Sequence, residues 1–167
     1  MAASYPSITG EQAALIRRAA LFFVATADPL FARGPNGIGP INLSPKGGVR
    51  LHLLGSNRVA YLDRRGSGNE TARHSSAGSP VTVMVCSFEE REAAIVRLYG
   101  SARIVSVADS PLGEALVRES TTPKWLNRSV IDIEVECAST SCGYGVPVMA
   151  FVRERREEDR GRAYKRN

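Results

Sequence analysis

The stretch 59–76, VAYLDRRGSGNETARHSS, constrains this chain more than any other. Its first residues, Val59 to Leu62, are apolar and suited to a strand, and Gly66 and Gly68 then break the run. The residues after the break have the makeup of a short helix capped by Ser67 or Asn69. A strand that turns directly into a helix aims several donors at one place. Backbone N–H groups at the helix start, the hydroxyls of Ser67 and Thr71, and the guanidinium groups of Arg64, Arg65 and Arg73 could all face one anion. The stretch is therefore either a capped surface turn with solvated arginines or a seat for a phosphate-bearing ligand.

The rest of the chain reads mainly as short strands. Thr9 and Gln12 form a capping-box pattern that predicts a helix over 10–20, and the aromatic, β-branched run 21–27 predicts a buried strand that stops at Asp28-Pro29. Gly37-x-Gly39 lacks the third glycine and the helix of a dinucleotide fingerprint, so it reads as a hairpin or surface loop. Strands are predicted at 40–44, at 49–54 by alternation, and at 81–88. A long strand over 94–107 carries Gly100 as a bulge or bend, which lets it curl around a barrel. Ser110-Pro111 predicts a helix over 111–119, Trp125 lies beyond it, and the alternation over 131–137 marks a strand with one wet face. Many short strands, few helices and no alternating strand–helix order predict a mainly β fold: a small antiparallel barrel with helices outside.

Bulk properties narrow the function classes. At 167 residues one domain is expected, spanning 1–152, with a charged tail at 153–167 that is either helical or frayed. The net charge is +5, and the tail holds seven Lys or Arg against four Asp or Glu, so the remainder carries too little excess for a nucleic-acid surface. The early apolar run 21–27 is too short for a membrane span and lacks the layout of a secretory leader, so a cytoplasmic protein without a membrane partner is expected. Cys86, Cys137 and Cys142 lack paired spacing, which points to reduced thiols and to no metal site. His52 and His74 have no nucleophile motif near them, and His74 reads as an exposed polar residue of the short helix.

Three separated motifs stand in order along the chain: Asn42-Leu43-Ser44-Pro45-Lys46-Gly47; Ala60-Tyr61-Leu62-Asp63 with Gly66-Ser67-Gly68-Asn69-Glu70-Thr71 after it; and Ser141-Cys142-Gly143-Tyr144-Gly145-Val146-Pro147. With these the chain resembles the pyridoxamine 5'-phosphate oxidase-like FMN-binding split-barrel family, in a branch carrying NLSPKG and SCGYGVP, from about residue 22 to 151. The resemblance implies an antiparallel split β-barrel that holds FMN at a homodimer interface. It puts Asn42, Ser44 and Lys46 at a strand end near the phosphate, with Ser67, Gly68, Asn69 and Thr71 completing the anchor. Tyr61, Leu62 and Asp63 would run along the flavin and its ribityl chain. Arg97 would reach in from the second subunit, and Cys142, Gly143 and Tyr144 would approach the ring.

The activity implied is FMN-dependent hydride or electron transfer with a small organic substrate, and no catalytic residue is assigned. The alternatives are a non-catalytic binder of flavin or another phosphate ligand, and a split-barrel reductase using deazaflavin. The C-terminal run EEDRGRAYKRN does not carry the arginine and histidine arrangement of the pyridoxamine phosphate oxidases, so that substrate is not implied. Cys142 is either a redox thiol or a small packing residue, and Tyr144 either stacks on a ring or packs in a core.

Overall fold

A computed structural model describes residues 2–34, 37, 39–64, 69–120 and 127–155. It is an open, antiparallel eight-stranded sheet in the order β3-β2-β6-β7-β8-β5-β4, with a short β1 also on β8, and three helices among the described residues. The sheet curls into a split barrel. In chain order the elements are β1 (Ala3–Tyr5), α1 (Gly10–Arg18), β2 (Leu21–Ala27), β3 (Ile41–Gly47), β4 (His52–Gly55), β5 (Arg58–Arg64), α2 (Glu70–Ser76), β6 (Val81–Cys86), β7 (Ala94–Ser106), α3 (Gly113–Glu119) and β8 (Asn127–Cys142). No described helix is long and apolar enough to cross a membrane.

Local chemistry explains most boundaries. Thr9 Oγ1 accepts from Gln12 N at 3.3 Å while Gln12 Oε1 accepts from Thr9 N at 2.9 Å, closing the predicted capping box. The helix stops at Arg18 because Ala19 is already extended, two residues before the predicted end. β3 runs on to Gly47, past the predicted stop, with Pro45 inside it; an edge strand tolerates the missing N–H. β4 begins only at His52, and β6 ends at Cys86. α3 starts at Gly113 instead of Pro111: Ser110 Oγ takes the Leu112 N–H at 3.2 Å, and a bend precedes the helix.

β8, predicted as seven residues, is sixteen long and is the sheet's axis, pairing with β7, β5 and β1. The predicted bulge is present: the β7–β8 register shifts between Tyr99 and Gly100, where a Cβ on Gly100 would lie 1.9 Å from the Glu134 carbonyl oxygen. Only glycine lets the two backbones approach that closely.

β5 is buried on both faces, which divides the core in two. Val59 and Tyr61 join the barrel interior with Phe22, Val24, Val83, Leu98 and Ile131, and Phe22 meets Tyr61 edge-on at 5.2 Å between centroids. Ala60 and Leu62 point the other way, under Leu116 of α3 and against Val130. The strand that leads into the 66–71 motif is thus fixed from both sides.

Candidate functional site

The ends of β3, β5 and β8 and the start of α2 enclose a cleft of about 400 Å³ lined by Ser44, Lys46, Asp63, Asn69, Thr71 and Arg128, among others. Lys46 Nζ lies 3.4 Å from Asp63 Oδ1 and 5.7 Å from the centroid of the Tyr61 ring. Arg128 grips the other oxygen of the same carboxylate, with Nε at 3.1 Å from Asp63 Oδ2 and Nη2 also in contact. Asp63 itself is buried. One carboxylate is thus flanked by two cations whose heads reach the cleft, so a local positive charge is left over for a ligand.

Asn42 is fixed from three directions behind this cleft. Its Nδ2 donates to Thr71 Oγ1 at 3.1 Å and to Thr26 Oγ1 at 3.3 Å, and its Oδ1 accepts from Ser44 Oγ at 2.8 Å. Thr26 Oγ1 in turn meets His74 Nδ1 at 3.0 Å, and His74 Nε2 meets Arg73 Nη2 at 3.0 Å. A guanidinium can only donate, so Nε2 accepts and the imidazole is neutral with its proton on Nδ1. Burial, then the Arg73 charge, hold the His74 pKa below its ordinary value, in agreement.

His74 is therefore fully buried and not the exposed polar residue that its helix position suggested. Arg73 is turned the same way: its Nη1 donates to Asp28 Oδ2 at 2.8 Å. Burial pushes the Asp28 carboxyl up, but N–H donors from Leu30 and Ala32 and the Arg73 guanidinium outweigh it and leave the pKa lowered.

The two described arginines of the 59–76 stretch, Arg64 and Arg73, do not converge on one point. Arg64 lines the cleft, but its Nη2 is bonded to the Gly48 carbonyl; Arg73 points to Asp28; Arg65 lies outside the described residues. Ser67 and Gly68 also lie outside them, as does Trp125. Asn69 holds the N-cap position of α2 but makes no side-chain cap bond.

Tyr61, Leu62 and Asp63 lie in sequence on β5, with Leu62 and Asp63 on the cleft wall. The Tyr61 ring is inside the barrel. Its hydroxyl is buried without a hydrogen-bond partner, close to the Thr71 side chain, and burial together with the Asp63 charge pushes the phenol pKa far up. On the cleft wall itself Lys46, Thr71 and Arg128 fit a polar, phosphate-bearing ligand.

The remaining candidates stand elsewhere. Ala94 pairs with Cys142 at one end of the β7–β8 ladder, while Ser129, beside the cleft, pairs with Ser106 at the other. Across the sheet the register Pro45–Phe23–Met84–Arg97 sets Arg97 three strands from the Lys46 end of β3, about 14 Å at ordinary strand spacing. Arg97 donates to Ser141 Oγ at 2.9 Å, Tyr144 is 91% exposed, and a Cβ on Gly143 would lie 2.5 Å from the Ala94 nitrogen. Among the described residues none of Arg97, Cys142, Gly143 and Tyr144 lines the Lys46 cleft.

Arg128 was missed from sequence. It stands at the head of β8 outside every motif, and only the β5–β8 register, with Asp63 opposite Ser129, places it.

No protein-family model matches the chain. A pyridoxamine 5'-phosphate oxidase family protein of Aspergillus flavus, ustO, is 34% identical over 134 residues, covering 79% of this chain and 51% of its own length. The chain thus spans about half the length of that curated relative. Among solved structures, a candidate pyridoxamine 5'-phosphate oxidase of Lactobacillus delbrueckii aligns at a TM-score of 0.58 and 19% identity, over 80% of this chain and 94% of that one. An FAD-binding protein of Mycobacterium smegmatis aligns at 0.52 and 15%, over 82% and 97%. At these identities the two structures establish the split-barrel fold.

Proposed function

We propose that this chain, as a member of the pyridoxamine 5'-phosphate oxidase-like split-barrel family, is an FMN-dependent oxidoreductase acting on a small organic substrate. The observation that carries the reading is the pair of cations on one buried carboxylate. Lys46 and Arg128 are held at the cleft by Asp63 and can exchange part of that contact for a phosphate, whose oxygens accept stronger, charge-assisted bonds. Ser44 and Thr71, tied together through Asn42, present hydroxyls on the same wall. The resemblance adds Asn69 to the anchor, together with Ser67 and Gly68, which lie outside the described residues, and it runs the β5 backbone at Tyr61, Leu62 and Asp63 along the cofactor. A flavin-binding structural relative, the M. smegmatis FAD-binding protein, supports the cofactor class.

Bound FMN would supply the hydride or electron transfer, and the chain's own residues bind, orient and exclude water. Lys46 and Arg128 neutralise the phosphate. Leu62 and Val49 give the cleft its apolar lining. Arg97, Cys142, Gly143 and Tyr144 come from a second copy in a homodimer, since none of them lines the Lys46 cleft of its own copy.

The test is an absorption spectrum of the purified protein with mass identification of the released ligand. FMN bound in the wild type, and lost in Lys46→Ala and Arg128→Ala, is the expected result. A protein that is colourless and does not take up added FMN would sink the reading. FMN held firmly, yet reduced by neither nicotinamide cofactor nor substrate, would leave a binding protein in place of an enzyme.

A further inference from the structure

A second cleft, of about 390 Å³, opens beside the first, and Val49 and Leu62 line both. We infer that this second cleft binds a small organic carboxylate with an apolar body, held by Arg17 and Arg50. Arg17 stands in the last turn of α1 and Arg50 in the connection between β3 and β4, so two separate parts of the chain bring the cations to one concavity.

The charges lining the cleft single out these two. Arg18 is engaged with Glu92, His52 Nδ1 lies 3.4 Å from Glu119 Oε2, and Glu154 Oε1 accepts the Gly48 N–H at 3.0 Å. Arg17 and Arg50 have neither an ion pair nor a hydrogen bond among the described residues, and both line the cavity. Glu119 is 61% exposed on its side chain, so its charge sits in water and is screened from the interior. Burial, offset by Glu119 and reinforced by Arg50, lowers the His52 pKa, so no further cation competes there near neutral pH.

The rest of the wall is apolar. Leu62 and Leu116 are buried beneath the cleft and Phe151 borders it. Surface arginines in isolation are ordinary, but two unpaired guanidinium groups over a leucine floor match a ligand with a carboxylate head and a hydrocarbon or aromatic body. Placing that ligand as the substrate rests on the proposed flavin site, because the shared residues Val49 and Leu62 would set it against the cofactor. The binding itself does not.

Benzoate and its neutral counterpart benzamide are suitable probes, titrated by calorimetry into the full chain. Benzoate should bind about tenfold or more tightly than benzamide, and Arg17→Gln or Arg50→Gln should each weaken it by about tenfold, as loss of a charge-assisted bond predicts. Lys46→Ala should leave benzoate binding unchanged. Absence of benzoate binding, equal binding of benzamide, or full retention in the Arg17→Gln/Arg50→Gln double variant overturns the inference. So does loss in Lys46→Ala alone, which would put the carboxylate in the first cleft. Both arginines are exposed, so the variants should fold, and matching circular dichroism verifies it. A wild type that binds benzoate but no flavin separates the two readings: the carboxylate site stands and the flavin site fails.

Discussion

Arg128 donates through Nε to Asp63 Oδ2 at 3.1 Å, on the carboxylate oxygen opposite the one that faces Lys46. Removing the charge with Asp63→Asn leaves two cations side by side without a counter-ion. Both are partly exposed and rehydrate, so the expected loss is about 1–3 kcal/mol, below that of a wholly buried pair. Inorganic phosphate should restore more stability to the variant than to the wild type. Urea unfolding with and without phosphate checks this; equal gains in both proteins would mean that the cations do not share an anion site.

Neutral His74 makes stability depend on pH in a defined window. Its ordinary value is 6.5 and the folded value is lower, so below about pH 6.5 the unfolded chain takes up a proton that the folded chain refuses. Stability is therefore complete above that pH and falls on acidification, by up to about 1.4 kcal/mol per pH unit and per group until the folded pKa is reached. His52, also lowered, adds a second such group, while Asp28 titrates from 3.8 downwards and stays outside the window. Comparing denaturation midpoints at pH 7.5 and 5 should show a clear drop in the wild type and a smaller one in His74→Gln. An unchanged drop in the variant would show that the imidazole takes up its proton alike in the folded and unfolded chain.

Gly100 is required by contact and not by an unusual backbone angle. A methyl there would meet the Glu134 oxygen at 1.9 Å and the Val135 Cα at 3.2 Å, both backbone atoms of the neighbouring strand. Gly100→Ala should cost about 3 kcal/mol, the upper end for forced overpacking. Gly55, with nothing near its would-be Cβ, is the control, and Gly55→Ala should cost less than about 1 kcal/mol. Thermal melts of the two variants decide; equal melting points would mean that β7 and β8 separate at the bulge without penalty.

These cases mark what the sequence made legible. Bonds within a few residues could be read directly: the Thr9–Gln12 cap, the alternation of β2, and Gly100 as the irregular point of a long strand. Around the cleft, Asn42, Ser44, Lys46, Asp63 and Thr71 are grouped by the family resemblance; spacing sets each motif on its strand or helix end, and only the curl of the sheet, with β3 and β5 near its two edges, brings the motifs together. Arg128 and His74 depend on register and packing between distant segments, which local periodicity does not encode. A histidine at an amphipathic position looks the same whether its partner is water or Thr26 on β2. Strand length is likewise hidden where one strand carries two neighbours: β8 reaches sixteen residues because β7 and β1 pair with its polar C-terminal part.

The three thiols should separate cleanly in reactivity. Cys86 is buried, and burial pushes its thiol pKa up against the opposing charge of Arg97, so little thiolate forms and reagent cannot reach it. Cys137 is half-buried, with its sulfur 3.5 Å from Ser4 Oγ under β1. Cys142 is exposed at the strand end, and its sulfur accepts the Tyr144 N–H at 3.4 Å. Brief treatment of dilute protein with iodoacetamide, then peptide mass analysis, should therefore modify Cys142 first, Cys137 next and Cys86 only after denaturation. In the proposed homodimer the 141–144 segment is covered by the other copy, so raising the protein concentration should slow Cys142 selectively while Cys86 stays unreactive. A Cys142 rate that ignores concentration, in protein that light scattering shows to be monomeric throughout, would remove the second copy from the flavin site and leave the Lys46 cleft to bind its ligand alone.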